Sequence, residues 1–271
     1  MNAVVDHYTL GDLTDKIAAA LRLAGKDLAH LETADLAAID EFHIRGRSAT
    51  LELAESMELT AGCHVLDIGS GLGGPARTLA EVHGCRVTGI DLSAEFCGTA
   101  RQLSRWGGLS DKIGFVEGDA TSLPFEAASF DAAMTIHVAM NIAAKGAMYS
   151  GARRVLKPGR IFAAYDILQG EGGEIAYPVP WARDPSISHL ATPSEMRKLL
   201  ESAGFRIEAE HDSTEASEAW FRQAAARMSA TSTPPVGLRQ FLGSDAAQMT
   251  LNQVRNLAER RIRTVTYICR S

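Results

Sequence analysis

The sequence predicts an α/β fold: a parallel sheet with helices on both faces, preceded by N-terminal helices and interrupted by an inserted helical cap. Three observations predict it. Short apolar runs alternate with helical stretches from residue 64 to residue 168, the pattern of strand and helix in turn. The first run enters a glycine-rich turn, VLDIGSGLGGPARTLA at residues 65–80, which reads as buried strand, turn and helix. The chain has 271 residues and a hydrophobic fraction of 46%, enough for one large α/β domain with an elaboration or for two small domains.

In chain order, residues 12–31 place Leu13, Ile17, Leu21, Ala24, Leu28 and Leu31 at three- and four-residue intervals. That is one apolar helical face, weakened in the middle by Gly25. A second helix is expected from Ser48, which can cap it, with Leu51, Ala54 and Met57 turned inward. HVLDIG, RVTGIDL, IGFVEGD, FDAAMTIH and GRIFAAYDIL read as strands. PARTLAEVHG, SAEFCGTARQLSRWG and AKGAMYSGARRVLK read as the helices between them. The helix TPSEMRKLLESAG, the strand FRIEAEH and a final strand, TVTYICR, follow. About fifty residues separate the last two strands, too many for an ordinary connection. They hold two helical candidates, EASEAWFRQAAARM and DAAQMTLNQVRNLAERR, around TSTPPVG, and read as a cap. The expected organisation is an N-terminal helical segment over 1–58, a core over 59–211, a cap over 212–262 and a last core strand over 263–271.

A formal charge of −6 argues against a duplex-binding surface, which needs a basic face. RNLAERRIRT is locally basic and reads as a solvated helix face. No stretch approaches the roughly 18 unbroken apolar residues of a membrane span. MNAVVDHYTLGDLTDK shows neither the basic start nor the apolar core of a secretory signal. Cys63, Cys85, Cys97 and Cys269 form no C-x-x-C unit and have no His pair at zinc spacing. They read as reduced core thiols of a cytoplasmic protein, with no metal expected. The expected partner is a small molecule, neither nucleic acid nor membrane.

Gly69, Gly71 and Gly74 satisfy the spacing of the dinucleotide fingerprint. The turn therefore holds either a nicotinamide or flavin dinucleotide, in an oxidoreductase, or S-adenosylmethionine (SAM), in a methyltransferase. Ligands of open parallel sheets bind outside the C-terminal strand ends, where strand order reverses. Asp67 stands two residues before the first glycine. A carboxylate there is awkward for a pyrophosphate, which favours a helix N-terminus free of negative charge, but suits the amino group and sulfonium of SAM. Asp91 ends the second strand and can accept ribose hydroxyls in either class. Asp119 and Ala120 follow the third strand, where a carboxylate and a backbone amide can read adenine. Each acid alone equally fits a plain strand end or turn; the three together, with the glycines, favour SAM.

These residues resemble the successive motifs of class I SAM-dependent methyltransferases: VLDIGSGLGGPARTLA, VTGIDLS, GDATSLPFEAASFDAA and RRVLKPGRIFAAYDI. The resemblance is strong over residues 62–168 and weaker to residue 211. It implies a Rossmann-like seven-stranded sheet whose last strand is antiparallel. By position it places Asp67, Gly69, Ser70 and Gly71 on the methionine and ribose side, Asp91 and Leu92 at the ribose and adenine, and Asp119 and Ala120 at the adenine. GSGLGGPARTLAEVHGCRVTGIDLS is similar to sarcosine and dimethylglycine N-methyltransferases, and the cap to that of natural-product sugar methyltransferases. This likeness implies a small-molecule acceptor, foremost an amine, with O- or C-methylation as the alternative. Met140 and Asn141 depart from the His residues that such enzymes often carry after the fourth strand. In similar enzymes the region of DEFHIRGRSAT, residues 40–50, folds over the cofactor. There His43, Arg45 and Arg47 either approach the methionine carboxylate, which an Arg fork suits, or belong to a polar linker.

Methyl transfer from a sulfonium is an in-line displacement, so the protein chiefly positions the acceptor and excludes water. His137, at the end of the fourth strand, is the candidate base, with a pKa suited to neutral pH; the alternative is a structural or cofactor contact. Asp166, at the end of the fifth strand, either pairs with an imidazole or a cationic amine or caps a loop. Of the aromatic residues beyond, Trp181 or Tyr177 is expected at the pocket, and Trp220, Phe221, Met228 and Phe241 in the cap's own core. The other class of function left open is a SAM-binding protein without catalysis.

Overall fold

The computed structural model describes residues 3–230, 237 and 243–271, the side chains of 227–230 excepted. Met228 and Phe241 therefore lie outside what is described. Seven strands form one sheet: β1 (His64–Ile68), β2 (Arg86–Asp91), β3 (Ile113–Glu117), β4 (Phe130–Ile136), β5 (Leu156–Gln169), β6 (Arg206–Asp212) and β7 (Ile262–Arg270). Their order is β3-β2-β1-β4-β5-β7-β6. The first five strands pair in parallel, and β7 runs antiparallel between β5 and β6. This is the Rossmann-like sheet with its last strand reversed. The order changes direction between β1 and β4, and the C-terminal ends there open a crevice.

Alternation along the strands supplies two cores. One face carries Leu66, Ile68, Phe162 and Ala164, packed against Met148, Tyr149, Met196 and Leu200. The other carries Val65, Val87, Met134 and Tyr165, packed against Leu53, Leu79 and Cys97. The parallel strands are covered on both sides, which is why they read as near-continuous apolar runs.

The helices begin where the chain offers a start. After α1 (Ala3–Tyr8), α2 (Leu13–Leu23), α3 (Thr33–Asp40) and α4 (Gly46–Glu55), α5 (Gly74–Val82) starts from left-handed Gly73 with Pro75 in its first turn, where proline's missing N–H costs nothing. Ser93 caps α6 (Ala94–Trp106) by accepting from Phe96 N. After α7 (Lys145–Val155), a reciprocal box between Thr192 and Glu195 starts α8 (Pro193–Ser202). The residues between β6 and β7 include α9 (Thr214–Ala230) and α10 (Ala246–Ala258).

Three expectations are corrected. The helix read over residues 12–31 stops at Leu23, because Gly25 adopts φ 76° and ends it; Leu28 and Leu31 precede a separate helix, α3. The helix expected from Ser48 starts two residues earlier, at Gly46. The last strand begins at Ile262, inside the stretch assigned to the cap. Cys85, Cys97 and Cys269 are buried, Cys63 half-buried, and none is paired. Among the described residues no helix is long and apolar enough to cross a membrane, and no group of His, Cys, Asp and Glu is assembled as for a metal ion.

Candidate active site

A cavity of about 380 Å³ opens at the strand-order reversal, within the range of small-molecule sites. It brings together ten of the residues singled out from sequence: Asp67, Gly69, Ser70, Gly71, Asp91, Leu92, Asp119, Ala120, His137 and His43.

The glycine turn makes the floor. Gly69 has φ 73°, and a Cβ there would lie 2.3 Å from a Val138 methyl carbon. Any larger residue would therefore displace the β4 loop or its own backbone. Gly71 N donates to Asp91 Oδ2 at 2.9 Å, and Ser93 N to Asp91 Oδ1 at 2.9 Å. The second strand's acid is thus oriented by the first strand's turn. Asp119, at the surface, accepts from Thr121 N and Oγ1 through one oxygen.

Asp67 is only 2% exposed, and its Oδ2 has no hydrogen-bond partner. Burial, reinforced by the Glu41 and Asp91 carboxylates, pushes its pKa up to about 8. A buried carboxylate without a partner is costly, and a cation in the cavity would relieve it. Burial also raises the pKa of Asp91, against the backbone N–H groups that it accepts. Four carboxylates line the cavity: Asp67, Asp91, Asp119 and Asp40. The first three end or follow β1, β2 and β3. Asp40 ends α3, is bonded to the fully buried Arg77, and has a second oxygen with no partner. This donor set fits SAM, whose amino group and ribose hydroxyls need acceptors and whose sulfonium is positive.

His137 follows β4 with a left-handed backbone, φ 53°, held by its N–H to Tyr165 O at 2.8 Å. Its Nε2 is buried without a partner. Burial holds its pKa well below the ordinary histidine value, with the His43 ring 5.9 Å away as a lesser cause. Burial likewise lowers His43 to about 4. Both rings are neutral at pH 7.

The structure departs from the sequence reading at several residues. Asp166 does not line the cavity. It is fully buried and accepts from Ala139 N and Ile167 N, each at 2.9 Å. The reason is strand length: β5 continues to Gln169, and Asp166 lies beside Val265 of β7 inside the sheet. It anchors the loop after β4 and is not at the sheet's edge. Arg45 and Arg47 are not at the cavity either; they pair with Glu52 and Glu81. His43 reaches it, but its Nε2 donates to Gly46 O at 3.0 Å. Trp181 lines the cavity and Tyr177 does not. Phe221 packs in a cluster with Trp181, and Trp220 stacks edge-on to it.

Among the other lining residues are four polar ones to which the sequence reading gave no role in the site. Tyr8 lies on α1, a six-residue helix too short to show a period. Its hydroxyl donates to Asn141 Oδ1 at 3.1 Å. Asn141 in turn donates to Trp181 O and Ile187 O, both at 2.8 Å. Its polarity within the apolar HVAMNIAA was the available signal. Gln253, from α10, and Asp40 complete the set.

The chain is similar in part to known proteins. A methyltransferase domain family model matches residues 66–164. A sterol 24-C-methyltransferase (ERG6B) of Gibberella zeae is 41% identical over 116 residues, 43% of this chain and 30% of that protein. The chain spans less than half the length of the curated relatives that it matches. Among solved structures, the [4+2]-cyclase SpnF superposes with a TM-score of 0.68 at 23% identity, covering 96% of this chain and 95% of that one. A geranyl diphosphate C-methyltransferase from Streptomyces coelicolor A3(2), in complex with S-adenosyl-L-homocysteine, superposes with a TM-score of 0.69 at 13% identity, covering 96% and 98%. At such identities the likeness is one of fold. Residues 66–164 thus match a methyltransferase domain family, and the strand-end acids and the glycine turn lie within the matched stretch.

Proposed function

We propose that the chain transfers the methyl group of SAM to a small-molecule acceptor held in the same cavity. The observation that carries this reading is the unpartnered Asp67 oxygen at the acid-lined end of the cavity. Asp67 would meet the amino group. Asp91 would take the ribose hydroxyls with the lone pairs left by Gly71 and Ser93. Leu92, Asp119 and Ala120 would enclose the adenine. When bound, SAM supplies an electrophilic methyl group on a sulfonium. The chain's own task is then to orient the acceptor, exclude water and provide a place for a proton. His137 is suited to the last role, because burial keeps it unprotonated and its Nε2 is uncommitted.

The acceptor atom is an oxygen or a carbon in this reading. An amine was expected from the resemblance to N-methyltransferases, but the acid expected to attract a cationic amine, Asp166, is spent on backbone N–H groups. The C-methyltransferase relatives support the carbon alternative as analogy only. The segments 1–58 and 212–262 would enclose the ligands, since Tyr8 and Gln253 both reach the cavity.

The test is methyl incorporation from labelled SAM in an extract of small metabolites. The expected result is a labelled small product. SAM binding without any incorporation would replace this reading with a non-catalytic SAM-binding protein.

A further inference from the structure

The two ends of the cavity differ in chemistry. All four lining carboxylates stand at the glycine turn or at the ends of the first three strands, and no Lys or Arg lines the cavity among the described residues. The far end is walled by Met140, Ile167 and Trp181, members of one buried cluster. Polar groups there are mostly committed. Asn141 uses its carbonyl oxygen on Tyr8 and its amide on Trp181 and Ile187. Trp181 gives its Nε1–H to Ser188 Oγ at 2.9 Å, so its ring is what an occupant meets. Three polar side chains there make no hydrogen bond within the described residues: His137, whose Nε2 is buried, Gln253, 6% exposed, and the half-buried His189.

Resting on the proposed methyl transfer, we infer that the acceptor is an uncharged, largely apolar molecule that presents one hydroxyl to His137 Nε2. An ionic headgroup against this wall would lose its hydration with no opposite charge to meet it. An apolar body gains by burial, and a single hydroxyl satisfies the buried His137 nitrogen that has no partner within the described residues. In the reaction the acceptor oxygen takes the methyl group, its proton goes to Nε2, and the electron pair of the broken C–S bond stays on sulfur. His137 then returns the proton to solvent. A ring kept neutral by burial is ready to receive that proton at neutral pH. The left-handed backbone at His137 and its N–H bond to the Tyr165 carbonyl fix the backbone that carries the ring.

The test uses three probes with one apolar body: 1-naphthol, 1-naphthylmethylamine and 1-naphthoate. Each is titrated calorimetrically at pH 7 into protein saturated with S-adenosylhomocysteine. The naphthol should bind at least tenfold more tightly than either ion. His137→Asn, a residue that tolerates the left-handed backbone but is too short to reach, should weaken the naphthol about tenfold and leave S-adenosylhomocysteine within a factor of two. Equal or tighter binding of the amine or the carboxylate overturns the inference, as does no binding by any of the three. Naphthol affinity unmoved in His137→Asn removes the hydroxyl contact. A protein that takes up no S-adenosylhomocysteine fails at the methyl-transfer reading instead, and the inference falls with it.

Discussion

Asp67 combines near-complete burial, an unsatisfied oxygen and two neighbouring carboxylates. In the unfolded chain it ionises near the ordinary aspartate value; in the fold it does so at about 8. Below pH 4 both states hold the proton and nothing is lost. As pH rises to 8 the unfolded state gains the ionised form first, so the fold loses stability across that window. Asp67→Asn removes this titration. Its Tm should exceed wild type by a margin that widens from pH 5 to pH 8; a constant margin would show that Asp67 is not the titrating group. His137 yields the opposite signature. Since burial keeps it neutral well below its usual pKa, turnover should be flat from pH 6 to pH 8, and a rate that climbs through pH 6.5 would contradict a buried neutral base. The acids that end β1, β2 and β3 were legible because glycine spacing and strand ends fix their positions. Asp166 was not, because its role depends on where β5 stops, and the apolar run alone does not say.

At the scale of elements, Asn141 joins three segments that are far apart in sequence: α1 through Tyr8, the loop after β4, and the loop after β5 through Trp181 and Ile187. Glu95 adds two bonds to the N-terminal segment, accepting from Leu10 N and Leu13 N. Asn141→Leu leaves two carbonyls and a hydroxyl without partners, at a cost of about 2–4 kcal/mol on the scale of single hydrogen bonds. A fall in Tm of several degrees should result, whereas Tyr8→Phe, which removes one bond, should lower it much less. Equal shifts in the two variants would mean that the loop contacts carry no energy. The long helices and core strands could be read from period and capping residues. α1 and α3 could not: six and eight residues give too few turns for a period to emerge. Left-handed starts at Arg45 and Gly73 also hide a helix boundary from a search for Ser, Thr or Asp caps.

For the whole molecule, alternation of strand and helix gave the sheet, and the antiparallel β7 came from family resemblance, since no local pattern marks strand direction. β7 pairs between β5 and β6, and α10, which precedes it, reaches the cavity through Gln253. Asn252 and Asn256 of the same helix bond to Pro178 O and Ala176 O, tying this region to the loop after β5. One side of the cavity is thus built by the sheet's C-terminal edge and the other by segments distant in sequence. The central claim is that the acid-lined edge binds SAM, and calorimetric titration of wild type and Asp91→Ala tests it most directly. SAM should bind wild type one to one, and Asp91→Ala should bind at least tenfold more weakly, as expected from about 1.5–3 kcal/mol for hydrogen bonds to a charged group; NADH should give no binding heat. Equal SAM affinity in the two proteins, or binding of NADH in place of SAM, would contradict the account.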